Sequence, residues 1–238
     1  MPATDDIERI LVVTAHPDDV DFGAAGSVAR WTDAGIEVSY CICTSGEAGG
    51  FDDSIPRPTM AEIRQAEQRA AAKVVGVTDL TFLGHADGRL VSTIELRRDI
   101  SRVIRQVRPQ RVVGQSPERN FQRIYASHPD HLAAGDATLA AVYPDSRNPF
   151  AHPELLDEGF EPWAVAELYL MTPNVSDTFV EITDTLERKL EALRCHASQL
   201  PDPGGLDGLI RGWTAGNAQT AGMPEGAYAE AFLRVETS

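Results

Sequence analysis

Two short motifs of similar composition contain the residues most able to do chemistry. One is HPDD at residues 16–19, and the other is HPDH at residues 128–131. Each places two residues of metal-ligand type three residues apart, and in the first turn of a helix this spacing puts two side chains on one face. Proline suits such a first turn, because its missing backbone N–H has no partner there in any case. The two motifs therefore indicate a site built from imidazole and carboxylate groups.

Imidazole and carboxylate groups are ligands of catalytic zinc, which takes three protein ligands and leaves one position open for water. We predict His16, Asp19 and His131 as the three ligands. This choice leaves Asp18 and His128 for proton transfer, which hydrolysis also requires. Fe²⁺ accepts the same ligand types, so the sequence favours Zn²⁺ but leaves the metal open.

Other interpretations of these motifs also have to be considered. An isolated HPD sequence is more often a helix cap than a site, and Ser127 with Asp130 matches a weak capping box. Gly23 and Gly26 follow the first motif but lack the G-x-G-x-x-G spacing of a dinucleotide-binding loop. The G-x-S-x-G motif of a serine hydrolase is also missing from the sequence. Two related motifs in one acidic chain favour the metal site.

Strands and helices alternate along the predicted chain. Predicted strands are residues 9–15, 37–44, 80–83, 111–115 and 165–171, and predicted helices are 21–34, 59–75, 92–108, 130–142 and 184–198. Beyond residue 201 we expect irregular chain and a short last helix near Tyr228. This alternation predicts an α/β fold, a Rossmann-like layered sheet that is mostly parallel with helices on both faces. Each motif follows a strand, where such sheets bind ligands.

Length and charge restrict the class of protein. The chain has 238 residues and a formal net charge of −15, which predicts one domain over residues 1–238. A negative field repels phosphate backbones and anionic lipids, so we expect a small-molecule substrate and neither nucleic acid nor membrane as partner. No apolar run approaches the roughly 18 residues of a membrane helix, and we expect a cytoplasmic protein. The sequence leaves a homo-oligomer open.

The motifs resemble those of the LmbE-like, or PIG-L, zinc-dependent N-deacetylases. AHPDD and HPDH are the two signatures of that family. The likeness continues through TSGEAGG at residues 44–50, the helix containing residues 64–67, KLEALRCHASQ at residues 189–199 and AEAF at residues 229–232. It therefore covers nearly the whole chain.

The resemblance implies a role for each residue of the two motifs. It assigns zinc to His16, Asp19 and His131, and it makes Asp18 the general base. His128 becomes the group that stabilises the oxyanion or protonates the leaving amine. The implied activity is that of a zinc-dependent hydrolase, which removes an N-acyl group, expected to be acetyl, from an amino sugar or a small molecule that bears one.

The resemblance also implies that Arg64 and Asp87 hold sugar hydroxyls. Simpler interpretations are a surface pair between Arg64 and Glu67 and an Asx turn at Asp87. Asp130 is expected either to orient His128 or only to cap its helix.

Some positions depart from the family and leave the substrate open. Many members carry Glu where this chain has Val20, and mycothiol-pathway members have Tyr at the position of Ala126, one place after Tyr125. Alternative functions are a mycothiol-type conjugate amidase, a metal-dependent hydratase or lyase of an organic acid, and a non-catalytic glycoside binder. Arg119, Arg123 and the loop at residues 45–58 are candidates for recognising the amine-bearing part of the substrate.

Overall fold

The computed structural model describes residues 7–122, 124, 127–200 and 203–237. Its strands are β1 (Arg9–Thr14), β2 (Glu37–Thr44), β3 (Asp79–His85), β4 (Arg111–Gln115), β5 (Glu167–Met171), β6 (Thr178–Glu181) and β7 (Ala229–Glu236). Within the described ranges they form one seven-stranded sheet of order β3-β2-β1-β4-β5-β7-β6. Strands β1 to β5 pair in parallel, whereas β7 is antiparallel to β5 and β6. The predicted mostly parallel α/β sheet is confirmed.

Helices cover both faces of this sheet. They are α1 (Asp19–Gly23), α2 (Ala25–Asp33), α3 (Arg57–Val74), α4 (Ile94–Val107), α5 (Pro129–Val142), α6 (Glu154–Asp157), α7 (Leu186–Arg194) and α8 (Pro203–Thr220). Ile10 and Val12 of β1 pack with α2 and α3, whereas Leu11 and Val13 pack with α4 and α5. Alternate residues of a strand point to opposite faces, so one strand serves both layers of the core.

The predicted helix at residues 21–34 is two helices, α1 and α2, which meet at Ala24. A fully buried ion pair between Lys189 and Glu230 lies at this break, with a distance of 2.6 Å. Lys189 Nζ donates to two carbonyl oxygens at the end of α1, at 2.6 and 2.9 Å. Glu230 accepts two backbone N–H groups from the first turn of α2, at 2.7 and 3.0 Å. The pair thus satisfies helix ends that the break leaves open.

The C-terminal prediction is wrong. The glycine-rich segment expected to be irregular forms α8, and the expected last helix is the strand β7. Leu206 and Ile210 of α8 pack against Leu190 and Leu193 of α7 in a small apolar cluster. This packing stabilises a helix whose intrinsic propensity is poor. Strand β7 lies between β5 and β6 and hydrogen-bonds to both.

Among the residues that the structure describes, no helix has the length and apolar character needed to cross a lipid bilayer.

Candidate metal centre and active site

The two histidine motifs meet at one edge of the sheet. Strands β1 and β4 are parallel neighbours, so the loops that follow them start at the same edge. Gln115 at the end of β4 accepts the backbone N–H of Ala15 at 2.9 Å and joins the two loops. Helix α5, which begins with the second motif, packs closely on this strand end, because a Cβ at Gly135 would overlap the carbonyl oxygen of Gln115. The predicted meeting of the motifs is what the structure shows.

The three predicted metal ligands present their donor atoms to one point. His16 Nδ1 lies 3.3 Å from His131 Nε2 and 3.4 Å from Asp19 Oδ2. His131 Nε2 lies 2.9 Å from Asp19 Oδ1. A tetrahedral zinc ion with bonds of about 2.0–2.1 Å needs donors about 3.3 Å apart. The residues present therefore fit a metal ion, and the site can bind one.

The second nitrogen of His16 is held by two carboxylates. His16 Nε2 lies 3.0 Å from Asp87 Oδ1 and 3.2 Å from Asp130 Oδ2. These oxygens accept the Nε2 proton, so Nδ1 is the ring nitrogen that faces the metal position. Asp87 Oδ2 also accepts the N–H of Ala48 at 2.8 Å, and Asp130 Oδ2 that of Gly88 at 2.8 Å.

These contacts with His16 were not among the expected roles of the two aspartates. Asp87 was expected to hold sugar hydroxyls, and this stays a prediction, since Asp87 lines the open cavity while its two oxygens contact His16 and a backbone N–H. Asp130 was expected either to orient His128 or only to cap its helix, and the structure places its carboxylate against His16. It is the backbone N–H of Asp130 that reaches His128 Nδ1, at 3.2 Å.

Asp18 lies beside the donor atoms and has left-handed backbone geometry, with φ of 91°. Its N–H donates to Gln68 Oε1 at 2.7 Å, and Gln68 Nε2 donates to Asp21 Oδ2 at 2.8 Å. The same Asp21 oxygen lies 2.7 Å from His196 Nε2. This buried network holds the strained turn at Asp18. It was not predicted from the sequence. One signal was available, since Gln68 lies four residues after Arg64 and shares its helix face.

Arg64 forms a buried ion pair with Asp18. Its side chain is 5% exposed, and Nη2 lies 3.2 Å from Asp18 Oδ2. The guanidinium also donates to the carbonyls of Pro17 and Gly46, at 2.6 and 2.9 Å. The simpler interpretation as a surface pair with Glu67 is wrong, because Arg64 is buried and Glu67 accepts hydrogen bonds from Ser198.

The environment of Asp18 suits a group that accepts a proton near neutral pH. Burial and the nearby Asp19 carboxylate raise the pKa of Asp18 to about 7, and the Arg64 guanidinium limits the rise. A general base is most effective when its pKa lies close to the working pH.

The ring centre of His128 lies 5.1 Å from that of His16 and 5.2 Å from that of His131, and His128 carries its proton on a defined nitrogen. Because Nδ1 accepts the backbone N–H of Asp130, the neutral ring holds its proton on Nε2. Burial, together with His16 and His131, lowers the pKa of His128, which favours this neutral form. The ring can therefore donate a hydrogen bond to a developing negative charge.

Seven of the eight predicted site residues line one open cavity of about 380 Å³. Asp130, the eighth, is buried behind His16. Arg119 is exposed and does not line this cavity. The predictions for Arg123, Tyr125 and Ala126 lie outside the described residues.

Metal binding to protein stripped by a chelator should release at least one proton. Burial disfavours the charged ring of His16, but hydrogen bonds and charge from Asp19 and Asp87 outweigh it and raise its pKa to about 11. At pH 8 this ring is protonated, and a metal must displace the Nδ1 proton, so affinity should rise about tenfold per pH unit. Calorimetric titration with Zn²⁺ in buffers of different ionisation enthalpy measures the proton count. A count of zero would show that the His16 lone pair is already free.

Known proteins share both the sequence and the fold. The PIG-L family, described as GlcNAc-PI de-N-acetylase, matches residues 11–142. Diacetylchitobiose deacetylase of Thermococcus kodakarensis is 32% identical over 83% of this chain and 72% of the relative. The 1D-myo-inositol 2-acetamido-2-deoxy-alpha-D-glucopyranoside deacetylase of Actinosynnema mirum is 30% identical over 81% of each chain.

A solved structure of a deacetylase shares the fold of this chain. N,N'-diacetylchitobiose deacetylase of Pyrococcus horikoshii, in complex with an inhibitor, superposes with a TM-score of 0.90 at 29% identity, covering 98% of this chain and 85% of that one. The relatives are deacetylases that hydrolyse carbon–nitrogen bonds other than peptide bonds. With both signature motifs assembled at one sheet edge, the chain belongs to the PIG-L, or LmbE-like, family of deacetylases.

Proposed function

We propose that this chain is a single-domain zinc-dependent hydrolase that removes the acetyl group from the nitrogen of an amino sugar, or of a small molecule that bears one. The observation that carries the proposal is the group of His16, Asp19 and His131 donor atoms, 2.9–3.4 Å apart, with Asp18 beside it. Strands β1 and β4 are parallel neighbours and bring the two motifs together from distant parts of the sequence.

Zinc supplies Lewis acidity, which lowers the pKa of water and stabilises negative charge on an amide oxygen. The carboxylate of Asp18 takes a proton from the attacking water. The Nε2–H of His128 donates to the amide oxygen as negative charge develops there, a contribution typically of about 3 kcal/mol. Asp18 then returns its proton to the departing nitrogen, and the products are acetate and a free amine.

Arg64 and Asp87 act in this proposal by positioning other residues. Arg64 holds the Asp18 carboxylate and the carbonyls on either side of the site. Asp87 and Asp130 hold His16 so that Nδ1 faces the metal position. Losing such a partner typically costs 10–100-fold in metal affinity or activity.

The relatives support an amino-sugar substrate. Their names place the acetylated nitrogen on a glucosamine unit joined to a second group. A conjugate amidase of the mycothiol type would use the same donor atoms and the same base. A purely binding role is disfavoured, because a site without chemistry has no need of a buried carboxylate whose pKa is raised to about 7.

A metal-dependent screen for amine release tests the proposal. The panel contains N-acetylglucosamine, glycosides of it, thiol-cofactor conjugates and acetylated glycopeptides, each with the zinc-loaded protein and with protein stripped by a chelator. We expect amine release from the glucosamine derivatives with the zinc-loaded protein alone. Release from the conjugates only would favour the amidase, and no release from any amide would contradict hydrolysis.

A further inference from the structure

The segment at residues 196–199, His-Ala-Ser-Gln, follows α7 and packs on α3. It belongs to the stretch at residues 189–199 that resembles the deacetylase family, yet none of its four residues lines the catalytic cavity. We call it the HASQ segment. Helix α3 carries Arg64 and Gln68, which both contact Asp18. The segment therefore lies behind the residues that hold the proposed general base.

Helix α3 holds Asp18 at two points. Gln68 Oε1 accepts its backbone N–H at 2.7 Å, and Arg64 Nη2 lies 3.2 Å from its carboxylate oxygen Oδ2. Gln68 and Arg64 are four residues apart, on one face of the helix. The backbone of Asp18 is strained, with φ of 91°, and such a turn persists only where the surrounding contacts hold it. A shift of α3 would therefore move the carboxylate that accepts the proton.

The amide of Gln68 has one orientation because of Asp21. A carboxylate only accepts hydrogen bonds, so Gln68 Nε2 faces Asp21 Oδ2, at 2.8 Å, and Oε1 is left for the N–H of Asp18. His196 in turn holds Asp21, because its Nε2 lies 2.7 Å from the same oxygen. Asp21, Gln68 and His196 are each at most 1% exposed, so this chain of hydrogen bonds is shielded from water.

The contact between His196 and Asp21 is charged. Burial opposes a charge on the ring, but the hydrogen bond and the negative charge of Asp21 outweigh burial and raise the pKa of His196. A hydrogen bond that involves ionised groups is roughly twice as strong as one between neutral groups. An uncharged group at position 196 would therefore hold Asp21 less firmly.

Two further contacts hold this part of the chain in place. Lys189 of α7 donates to the carbonyl oxygen of Asp21 at 2.9 Å. Helix α7 and the HASQ segment thus hold both the main chain and the side chain of Asp21. Ser198 donates to Glu67 of α3, through its N–H at 2.8 Å and its Oγ at 2.7 Å. The HASQ segment is therefore fixed to α3 and to α1 at the same time.

We propose that His196 is a positioning residue for the hydrolysis, because it holds the Gln68 amide that fixes the turn at Asp18. The inference rests on the proposed deacetylase function, in which Asp18 is the general base, and it gives the HASQ segment a part in the reaction. His196 does not line the catalytic cavity, and it acts through Asp21 and Gln68. Displacing a catalytic group by about 1 Å can cost about 100-fold in rate.

Shortening the side chain tests the proposal. In His196→Asn the amide is too short to reach Asp21 as Nε2 does, and kcat on an N-acetylated glucosamine derivative should fall about 100-fold. KM and zinc affinity should stay as in wild type, because the metal ligands and the cavity lining are unchanged. His196→Gln places an N–H near the position of Nε2 and should recover most of the lost kcat. His152→Asn is the matched control and should retain wild-type kcat, since His152 pairs with Asp145 at 3.2 Å, outside the catalytic cavity.

A double variant tests whether His196 acts through Gln68. Gln68→Leu removes both amide hydrogen bonds at nearly constant size, and we expect it to lower kcat at least as much as His196→Asn does. The protein with both changes should be no slower than Gln68→Leu alone, because effects along one chain of contacts are not additive. Losses that multiply in the double variant would contradict the proposal.

The single variants can contradict it as well. Unchanged kcat in His196→Asn, an equal fall in His152→Asn, or a loss of zinc affinity that matches the fall in kcat would each show that His196 does not position the base. If His196→Asn does not fold, Gln68→Leu carries the test, and wild-type kcat in that variant would count against the proposal.

Amide hydrogen exchange, followed by NMR, separates this inference from the deacetylase proposal, because it requires no hydrolysis. The N–H of Asp18 should exchange at least about tenfold faster in His196→Asn than in wild type, whereas that of Val113 in the buried strand β4 should exchange as before. Faster exchange at Asp18 alone supports the positioning role even if no acetyl group is released. Equal exchange at Asp18 in the two proteins, or the same acceleration at Val113, would overturn that role whatever the activity.

Discussion

Replacing Asp18 by asparagine should lower kcat by about two to four orders of magnitude, the usual contribution of a general base, while the metal stays bound. Asparagine has nearly the same shape and tolerates the left-handed backbone geometry found at this position, with φ of 91°. Its amide cannot accept a proton from water at neutral pH. Because Asp18 is not among the three donor residues, its loss removes the proton acceptor and leaves the ligands in place.

The measurement is kcat on an N-acetylated glucosamine derivative, with metal content determined on the same samples. Asp33→Asn is a matched control, because Asp33 is an exposed aspartate at the end of α2 that pairs with Arg188 far from the motifs. It should retain wild-type kcat. A kcat for Asp18→Asn within about threefold of wild type would show that another group accepts the proton.

Asp19→Ala and His131→Ala should each bind zinc at least about 100-fold more weakly, because loss of even a partner that only orients a ligand costs 10–100-fold. Asp19 contacts both histidines through its two oxygens, at 2.9 and 3.4 Å. Its removal therefore takes away one donor and the carboxylate that holds the other two. Competition with a chromogenic chelator gives the affinities.

A graded series sharpens this test. Asp87→Asn keeps an oxygen that can accept the Nε2–H of His16 but loses its charge, so we expect an intermediate loss of about 10–100-fold. His85→Ala should bind zinc as wild type does, because His85 pairs with Asp99 outside the site. Unchanged affinity in Asp19→Ala or His131→Ala would remove the ligand assignment.

The meeting of the two histidine motifs was predictable from sequence because its signal is local. Each motif brings its residues together through one turn of chain, and the position of each motif after a strand set where it would lie. The pairing of β1 with β4 then brings the two motifs together, because the ends of adjacent parallel strands lie at the same edge of the sheet. Neither step depends on the detailed packing of side chains.

The roles of Asp87 and Asp130 were not predictable in the same way. Asp87 and His16 come from loops after β3 and β1, which are separated in the sheet by β2. Which nitrogen of His16 each carboxylate reaches depends on the register of three strands and on the Ala48 N–H that fixes Asp87. A sequence shows none of these distances.

Helix α8 was missed for a related reason. Its glycines predict irregular chain, and packing of Leu206 and Ile210 on α7 stabilises the helix. The cavity that residues 208–213 of α8 line beside Asp19 and His131 was therefore also hidden from the sequence. The local sequence motifs indicated the candidate catalytic residues, whereas long-range packing determined the shape of the cavity beside them.

Titrating zinc into protein stripped by a chelator, with bound metal and acetate release measured at each point, tests the central claim most directly. The account predicts that activity on an N-acetylated glucosamine glycoside is absent without metal. It should rise in proportion to bound zinc and stop rising at one ion per chain, with acetate and free amine formed in equal amounts. Full activity in the stripped protein, or one bound ion per chain with no acetate released from the substrate panel, would contradict it.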